Sequence, residues 1–290
     1  MILVTGANGL NGRAVLARLS AMGVPSRALV RHASAWSPLP GVEVVEGDML
    51  RKESLGGALA GVDRVMVISS SAADMVEVQT TFVDAAKTAG VRHVVKLSGI
   101  MPDLDSPFRF ARMHGEIERH IEKTGVPFTH LRAGEFMHAY FRQVPNIVGK
   151  GAIFLPMEQA RIASIDVGDI ADVAALALTT AHHEGKTYRL TGPEANTMTE
   201  IAEKLSTATG KPLRYVDVPP DDAKRAQLAN GVPPYTADAL AELFAERRKG
   251  KESEVWGDVP ALLGRPATTF AAFATRHAAI FRGEEPAPKV

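Results

Sequence analysis

The chain has 290 residues, a hydrophobic content of 46%, and equal numbers of basic and acidic side chains, 33 of each. This length accommodates one large α/β domain with an appended lobe, or two domains. A net charge of zero does not indicate binding to nucleic acid or to an anionic membrane. The absence of cysteine excludes disulfides, zinc–thiolate sites, iron–sulfur clusters and thiol nucleophiles.

The sequence contains no targeting or metal-binding signal that we recognise. No apolar run approaches the ~20 residues that a membrane-spanning helix needs. The chain starts on a core strand without a basic and apolar leader, so we expect a cytoplasmic protein. His138, His182 and His183 lack partners at metal-ligand spacing, and no metal site is predicted.

A glycine-rich turn dominates the first twelve residues. The apolar run Ile2–Val4 ends at this turn, and a helical pattern of apolar residues follows it. A buried strand, a glycine turn and a helix N-terminus together form an anion site, because backbone N–H groups and the helix dipole face a diphosphate. The spacing G-x-x-G-x-x-G is a variant of the dinucleotide fingerprint, although glycines in such turns also serve packing alone. The predicted diphosphate contacts are Gly6, Asn8, Gly9, Leu10, Asn11 and Gly12.

Strands and helices alternate along the chain after this turn. The predicted strands are 26–30, 42–46, 64–68, 93–97 and 128–131, and the predicted helices are 75–89 and 107–123. Strands that alternate with helices at this spacing favour a parallel sheet with helices on both faces. The sequence therefore predicts an α/β fold, a doubly wound parallel sheet of the Rossmann type.

The pattern changes after residue 134, and a smaller C-terminal α/β lobe is predicted. Residues 135–161 look irregular, Thr197 begins a capping box, and the tail 283–290 is expected to fray. The other predicted elements are strands 163–167, 186–190 and 213–218 and helices 169–180, 198–210, 220–230, 236–249 and 269–281. We expect an NADP-binding domain of residues 1–134 rejoined by about 162–190, and a substrate lobe of residues 135–161 and 191–290.

The end of the second predicted strand favours NADP over NAD. A site for NAD usually places an acidic residue there, but no Asp or Glu precedes Glu43. Arg31 and His32 occupy the strand end instead, and Arg13 follows the last glycine of the turn. Guanidinium groups at these positions would bind a 2′-phosphate through charge-assisted hydrogen bonds, unless they are simply solvated surface arginines.

Four polar or flexible residues follow the third and fourth strands. Asp48 is a candidate for the adenine amino group with Met49 against the ring, or it is a loop residue that caps the helix after it. Ser69 and Ser70 lie where the fourth strand ends, at the edge where such sheets bind ligands. They are predicted to contact ribose, although serine is also an ordinary turn residue.

Seven motifs together carry a resemblance to a known family. They are Val-Thr-Gly-Ala-Asn-Gly-Leu-Asn-Gly at 4–12, Arg31, Gly-Asp-Met at 47–49, Val-Lys-Leu-Ser-Gly at 95–99, Pro-Phe-Thr-His-Leu-Arg at 127–132, Ile-Asp-Val-Gly-Asp-Ile at 165–170 and Tyr-Arg-Leu-Thr-Gly-Pro at 188–193. The chain resembles the NmrA-like atypical short-chain dehydrogenase/reductases, nearest the triphenylmethane reductase and NADPH:quinone oxidoreductase branch. The resemblance runs from residue 1 to about 220 and implies an NADP-binding Rossmann fold.

The resemblance also shows a departure from the wider superfamily. The usual Tyr-x-x-x-Lys motif is replaced by Phe110-Ala-Arg-Met-His114, and Phe110 cannot donate a proton. His114 stands at the lysine position near ribose and nicotinamide, where it is either a proton shuttle near neutrality or a half-buried structural histidine. Ser98 matches the superfamily's substrate-positioning serine or its neighbourhood, and we expect it to contact cofactor or substrate.

Residues after the sixth strand complete the predicted site. Gly134 and Phe136 follow this strand at the edge where nicotinamide is expected. Phe136, Met137, Tyr140 and Phe141 form either an apolar wall over it or the core of the lobe. Tyr140 is a second candidate proton donor.

These observations predict an NADPH-dependent oxidoreductase that transfers hydride to a planar, electron-poor acceptor such as a quinone, an aromatic dye or a polyketide-like compound. One alternative is a non-catalytic NADP-sensing regulator of the NmrA type. Another is an enzyme for polyketide-type intermediates that reduces an epoxide or carbonyl with His114 as the acid. A small aromatic or quinone-like substrate is expected, with no nucleic-acid or membrane partner, and the protein is predicted to be a monomer or homodimer.

Overall fold

The computed structural model describes residues 1–288, in two compact units. The first unit comprises Met1–Ser106, Phe110–Ala133 and Val167–Arg189. The second comprises Pro107–Arg109, Gly134–Asp166 and the residues from Leu190 onward. The last two residues of the predicted tail, 289 and 290, lie outside the described residues. That the first unit binds NADP and the second binds substrate stays a prediction.

The regular elements of residues 1–288 are nine strands, twelve α-helices and three 3-10 helices. The strands are β1 (Ile2–Val4), β2 (Ser26–Val30), β3 (Val42–Glu46), β4 (Arg64–Val67), β5 (His93–Gly99), β6 (Phe128–Ala133), β7 (Ala152–Leu155), β8 (Lys186–Leu190) and β9 (Arg214–Asp217). The α-helices are α1 (Leu10–Ala21), α2 (Gly56–Leu59), α3 (Met75–Thr88), α4 (Arg109–Thr124), α5 (Val144–Lys150), α6 (Val167–Thr179), α7 (Met198–Thr209), α8 (Pro220–Ala229), α9 (Pro234–Arg248), α10 (Asp258–Leu263), α11 (Phe270–Arg276) and α12 (Ala278–Phe281). The 3-10 helices are Ala33–Ala35, Lys52–Ser54 and Met137–Gln143.

The first unit is built on a seven-stranded sheet of order β3-β2-β1-β4-β5-β6-β8. The pairs from β3 through β6 are parallel, with Val4 opposite Ala28 of β2 and Met66 of β4. The strand order reverses between β1 and β4, and open α/β sheets bind ligands at such a switch point. The predicted doubly wound fold is confirmed, and β2, β3 and β8 have the predicted bounds.

Burial explains why the central strands read as continuous apolar runs. All three residues of β1 are buried, as are Val65, Met66 and Val67 of β4, because helices cover both faces of the sheet. Two polar contacts attach α6 to this unit. Asp172 of α6 pairs with Arg18 of α1 at 2.8 Å, and Arg64 donates to the carbonyl oxygen of Leu178 at 3.0 Å near the end of α6.

The second unit has a parallel two-stranded sheet of β7 and β9 and a core of its own. The core residues are Met137, Tyr140, Phe141, Ile147, Ile153, Met157, Ala160, Ile162, Met198, Ile201, Ala202, Leu205, Phe244, Phe270, Phe273, Ala274, Ile280 and Phe281. The predicted capping box is confirmed: the Thr197 hydroxyl accepts from the Glu200 N–H, and the Glu200 carboxylate accepts from the Thr197 N–H. Gly210 follows α7 in the left-handed conformation that favours glycine.

Three predictions about this unit are wrong. Residues 135–161 are not irregular, because they hold a 3-10 helix, α5 and β7, each too short to show a clear period in the sequence. Residues 163–167 are not a strand, since Ile162 and Ile165 make only isolated bridges. The segment 269–281 is not one helix, because His277 leaves helical geometry and separates α11 from α12. The sequence also missed α10.

Acid is expected to destabilise the first unit through His93. The His93 ring is buried at the start of β5, with Nε2 2.9 Å from Thr129 Oγ1, and burial lowers its pKa to about 4. The folded-state pKa lies below the unfolded value of about 6.5, so this stabilisation is present above pH 6.5 and is lost as the pH falls towards 4. Within that window His93 contributes a slope of up to about 1.4 kcal/mol per pH unit to the free energy of unfolding.

Urea unfolding of the wild type and of His93→Gln between pH 4 and 8 measures this slope. The wild type should lose more stability than the variant as the pH falls, whereas His32→Gln, at an exposed position, should behave as the wild type does. The same pH dependence of the free energy of unfolding in the wild type and in His93→Gln would show that the pKa of His93 does not differ between the folded and unfolded states.

Candidate functional site

The glycine turn between β1 and α1 has a backbone that requires glycine at two positions. Gly6 has a φ of 59°, and a side chain there would place Cβ 2.8 Å from the carbonyl oxygen of Ile68. A Cβ at Gly12 would collide with the carbonyl oxygen of Gly6. Both clashes are with backbone atoms, so neither can be relieved by a side-chain rotation. The turn therefore brings the start of α1 close to the ends of β1 and β4.

The start of α1 leaves backbone donors free. Its first helical hydrogen bond runs from the Arg13 N–H to the Gly9 carbonyl oxygen at 2.9 Å, so the N–H groups of Leu10, Asn11 and Gly12 have no acceptor within residues 1–288. The first turn contains no acidic residue, and no side chain caps the helix. The buried Asn11 Oδ1 also lacks a partner among the described residues. These open donors and the helix dipole fit a diphosphate.

The end of β4 lies beside this turn. The Thr5 hydroxyl donates to the carbonyl oxygen of Ile68 at 2.7 Å and accepts from the Ile68 N–H at 2.8 Å, which joins the ends of β1 and β4. Ser69 and Ser70 follow directly, and Ser69 Oγ accepts from Gln79 Nε2 at 2.9 Å. The structure thus brings the predicted ribose contacts next to the predicted diphosphate contacts.

Two guanidinium groups lie at or near the loop after β2, one without a polar partner and one engaged. Arg31 is exposed, and its side chain makes no hydrogen bond or ion pair within residues 1–288. Arg13 donates to the carbonyl oxygen of Ser37 at 2.6 Å and lies over the Trp36 ring, 4.9 Å from the ring centre. Because these contacts hold the side chain of Arg13, a residue of α1, against the loop, Arg31 is the more accessible candidate for a 2′-phosphate.

Asp48 has the contacts of a turn residue. Its Oδ1 accepts from the Leu50 N–H at 3.0 Å, and its Oδ2 lies 3.6 Å from Arg51. Met49 packs against the core of the first unit. The helix-capping alternative for Asp48 is wrong, because no side chain caps the 3-10 helix Lys52–Ser54 and Asp48 accepts within the turn before it. Adenine binding by Asp48 and Met49 stays a prediction.

His114 is half-buried and contacts a residue that the sequence reading missed. Its Nδ1 lies 3.0 Å from Nζ of Lys96, a lysine that is completely buried in β5. Burial, and secondarily the Lys96 charge, hold the pKa of His114 well below its usual 6.5. The ring therefore does not titrate near neutrality, contrary to the prediction of a shuttle that titrates there. The signal available in the sequence was a single lysine within the apolar run of β5.

An ion pair stands between β6 and α4 near this contact. Arg132 of β6 donates to Glu118 of α4 at 2.6 Å, and Glu118 is buried. Ser98 is buried at the end of β5, directly opposite Arg132 in the sheet register. The carboxyl ends of β5 and β6 therefore carry a cluster of polar groups within the first unit.

The second unit contains the remaining predicted residues. Met137, Tyr140 and Phe141 belong to its core, which answers the choice between an apolar wall and a core for these three. The Tyr140 hydroxyl donates to Met198 Sδ at 3.7 Å, and burial raises the Tyr140 pKa well above its usual value. Proton donation by Tyr140 stays a prediction, and its hydroxyl is buried in the core of the second unit.

Gly134 and Phe136 keep their places as candidates in the second unit. Gly134 is buried, and a Cβ there would lie 3.2 Å from the carbonyl oxygen of Ala163. Phe136 is half-buried and bridges to Ile165. Their contact with nicotinamide stays a prediction.

Within residues 1–288 no group of three or more His, Cys, Asp or Glu side chains is arranged to hold a metal ion. None of the helices described above combines the length and the apolar character that crossing a bilayer requires.

Comparisons with known proteins place this geometry in a family. The family model described as "NmrA-like family" matches residues 1–273. The chain belongs to the NmrA-like family. Its relatives include the NAD(P)H azoreductase of Xenophilus azovorans, which is 39% identical over 97% of this chain and 99% of the relative.

Two solved structures are similar to this NmrA-like protein over nearly its whole length. The NADPH-dependent quinone oxidoreductase of Escherichia coli, crystallised with NADPH, has a TM-score of 0.87 and 31% identity, and covers 95% of this chain and 99% of that one. The triphenylmethane reductase of a Citrobacter species, crystallised with NADP(H), has a TM-score of 0.86 and 30% identity. The match covers 96% of this chain and 100% of that one.

The segment 110–114 of this NmrA-like protein has one polar group suited to proton transfer. Phe110 packs against the core of the first unit, and its ring has no proton to give. His114 lies one turn further along α4 and contacts Lys96. A tyrosine of this helix therefore cannot transfer the proton, and within the segment His114 is the candidate proton donor.

Proposed function

We propose that this protein is an NADPH-dependent reductase of planar, electron-poor acceptors such as quinones and aromatic dyes. The observation that carries the proposal is the free row of N–H donors at Leu10, Asn11 and Gly12, in a chain that belongs to the NmrA-like family. Its relatives are an NAD(P)H azoreductase, an NADPH-dependent quinone oxidoreductase and a triphenylmethane reductase crystallised with NADP(H). The non-catalytic sensor alternative finds no support among them.

The residues of the first unit provide the elements of a cofactor site. The turn from Gly6 to Gly12 would hold the diphosphate, Arg31 the 2′-phosphate, and Ser69 and Ser70 the ribose. When bound, NADPH supplies the hydride, so the protein's own task is to bind, orient and supply protons. Ser98 and His114, at or beside the end of β5, are proposed to face the reacting groups. Cytoplasmic location, independence of nucleic acid and a monomeric or homodimeric state stay predictions.

Planar acceptors suit a site without a tyrosine acid. Reduction of a quinone or a cationic dye delocalises or neutralises the incoming negative charge on the acceptor itself, so a strong general acid is not required. Reduction of an isolated ketone develops a localised alkoxide that such an acid must protonate. We therefore expect turnover with quinones and cationic dyes and much slower turnover with simple ketones.

An acceptor panel tests the proposal. The purified protein is mixed with NADPH and, in turn, a naphthoquinone, a triphenylmethane dye, an azo dye and a simple ketone, and the loss of nicotinamide absorbance is followed without oxygen. Saturable oxidation with at least one planar acceptor is expected. Tight NADPH binding without oxidation by any acceptor would instead support the sensor alternative.

Removal of the Arg31 guanidinium is expected to reduce the preference for NADPH. Because a charge-assisted hydrogen bond contributes about 1.5–3 kcal/mol, Arg31→Ala should raise the Kd for NADPH by about 10- to 100-fold. The Kd for NADH, which lacks the 2′-phosphate, should change by less than about 3-fold. Titration by nicotinamide fluorescence measures both constants, with Arg119→Ala at another exposed site as the control. Equal changes for both nucleotides would remove Arg31 from the 2′-phosphate site.

A further inference from the structure

Lys96 is an unusual residue for the centre of a parallel sheet. It lies in β5 opposite Val67 of β4 and His130 of β6, and its side chain is completely buried. Lysine is almost never fully buried without a partner, because removing an ammonium from water is costly. The contacts of Lys96 therefore indicate what its presence in β5 accomplishes.

The ammonium of Lys96 has two hydrogen-bond partners. Nζ donates to the carbonyl oxygen of Leu97 at 3.0 Å and lies 3.0 Å from Nδ1 of His114. An ammonium has donors only, so Nδ1 must accept this hydrogen bond and cannot carry a proton. The contact thereby fixes His114 in the neutral tautomer whose ring proton is on Nε2.

The mobile proton of the pair lies on Lys96 rather than on His114, because the pKa of His114 is the lower of the two. Burial lowers the pKa of Lys96 to about 7, with Glu118 of α4 raising it and Arg132 of β6 lowering it. His130 of β6 also interacts electrostatically with Lys96. The pKa of His114 lies well below 6.5, chiefly through burial. Below about pH 7 the pair therefore holds one exchangeable proton, on Lys96, in addition to the Nε2–H of His114.

The other edge of the His114 ring is open. Nε2 makes no hydrogen bond within residues 1–288, and the side chain is only half-buried. This edge lies against Gly99, the last residue of β5, where a Cβ would approach His114 Cδ2 to 2.9 Å. The Nε2–H thus stands at the carboxyl end of the sheet, the edge at which such folds bind ligands.

We propose that Lys96 and His114 form a proton-delivery pair for acceptors whose reduction consumes a proton. The inference rests on the proposed function and extends it with a positioning residue, Lys96. In the step, the Nε2–H bond of His114 breaks and an O–H bond forms on the reduced acceptor, while Nδ1 takes a proton from the Lys96 ammonium. The ring stays neutral throughout. The pair is reset when Nδ1 returns its proton to the Lys96 amine and Nε2 takes a proton from water.

The pair predicts a difference between two kinds of acceptor. A quinone needs a hydride and a proton to become a hydroquinone. A triphenylmethane cation needs only a hydride to become its neutral leuco form, and no proton is consumed. Loss of the pair should therefore slow quinone reduction much more than dye reduction, whereas general damage to folding or to NADPH binding would slow both alike.

Lys96→Met provides the first test, with Lys87→Met, at an exposed position of α3, as the matched control. We expect kcat for a naphthoquinone to fall at least ten-fold more than kcat for a triphenylmethane dye, and the KM for NADPH to change by less than about 3-fold. The control should keep the wild-type ratio of the two kcat values. An equal loss with both acceptors in Lys96→Met would overturn the proposal. Failure of the wild type to reduce either acceptor would instead overturn the proposed function.

Lys96→Gln tests the same pair without removing its donor. The amide N–H can still hold Nδ1 of His114, but it has no proton to transfer. The wild-type kcat for the quinone should fall as the pH rises through about 7, where Lys96 loses its proton, and this decline should vanish in the variant. A decline at the same pH in Lys96→Gln would overturn the assignment, as would a wild-type profile that is flat between pH 6 and 9.

Discussion

Replacement of Gly12 by alanine is expected to abolish measurable NADPH binding. The new Cβ would collide with the carbonyl oxygen of Gly6, a backbone atom that can move only if the whole turn shifts. A shift of the turn displaces the N–H donors of Leu10 and Asn11 from the diphosphate, and charge-assisted hydrogen bonds contribute about 1.5–3 kcal/mol each. Loss of two such bonds corresponds to a Kd for NADPH raised at least about 100-fold.

Isothermal titration of NADPH into Gly12→Ala measures this effect. Gly57→Ala is the matched control, because a Cβ at Gly57 meets no atom within 4 Å and the chemical change is identical. The control should bind NADPH as the wild type does. A Gly12→Ala protein that is folded and binds NADPH within 3-fold of the wild type would show that the turn does not hold the diphosphate.

Loss of Arg247 is expected to cause the largest decrease in stability. Arg247 is 3% exposed and bridges two carboxylates of the second unit, Glu135 at 2.8 Å and Glu252 at 2.7 Å. Breaking a buried ion pair leaves an uncompensated buried charge and typically costs 3–5 kcal/mol. We therefore expect Arg247→Met to lower the free energy of unfolding by about 3–5 kcal/mol.

Chemical unfolding of Arg247→Met beside Arg225→Met checks this expectation. Arg225 forms an exposed pair with Asp222, and such pairs contribute about 0–1 kcal/mol. Burial already raises the pKa of Glu252, and removal of Arg247 should raise it further. The loss of unfolding free energy in Arg247→Met should then become smaller as the pH falls, because protonation of Glu252 removes its unpaired buried charge. An equal decrease in the free energy of unfolding in the two variants would mean that the buried ion pairs of Arg247 contribute little to stability.

The alternating elements of the first unit were predictable because each has a strong local signal. Strands β2 and β3 each have three apolar residues among five and end at polar or glycine residues, and the glycine turn stands between an apolar run and a helical pattern. The second unit was harder, since β7 has four residues and α5 has seven, with Pro145 and Gly149 inside α5. Short elements of this kind are stabilised by tertiary packing, which periodicity does not record.

The candidate site also has one part that the sequence predicts and one part that it does not. The backbone at Gly6 and Gly12 follows from local geometry, so the sequence indicates it directly. Lys96 and His114 are 18 positions apart, and only the fold brings Nζ and Nδ1 to 3.0 Å. The sequence left Tyr140 open between a ligand wall and a core, because an aromatic residue after a strand has the same pattern in both, and the structure places it in the core.

Transfer of deuterium tests the central claim most directly. NADPH labelled with deuterium at nicotinamide C4, on either face in separate runs, is incubated with the protein and a triphenylmethane dye, and the leuco product is analysed by mass spectrometry. The account predicts one deuterium in the product from one of the two labelled forms, together with stoichiometric NADPH oxidation. Recovery of unreduced dye and unoxidised NADPH, despite saturable NADPH binding, would contradict it.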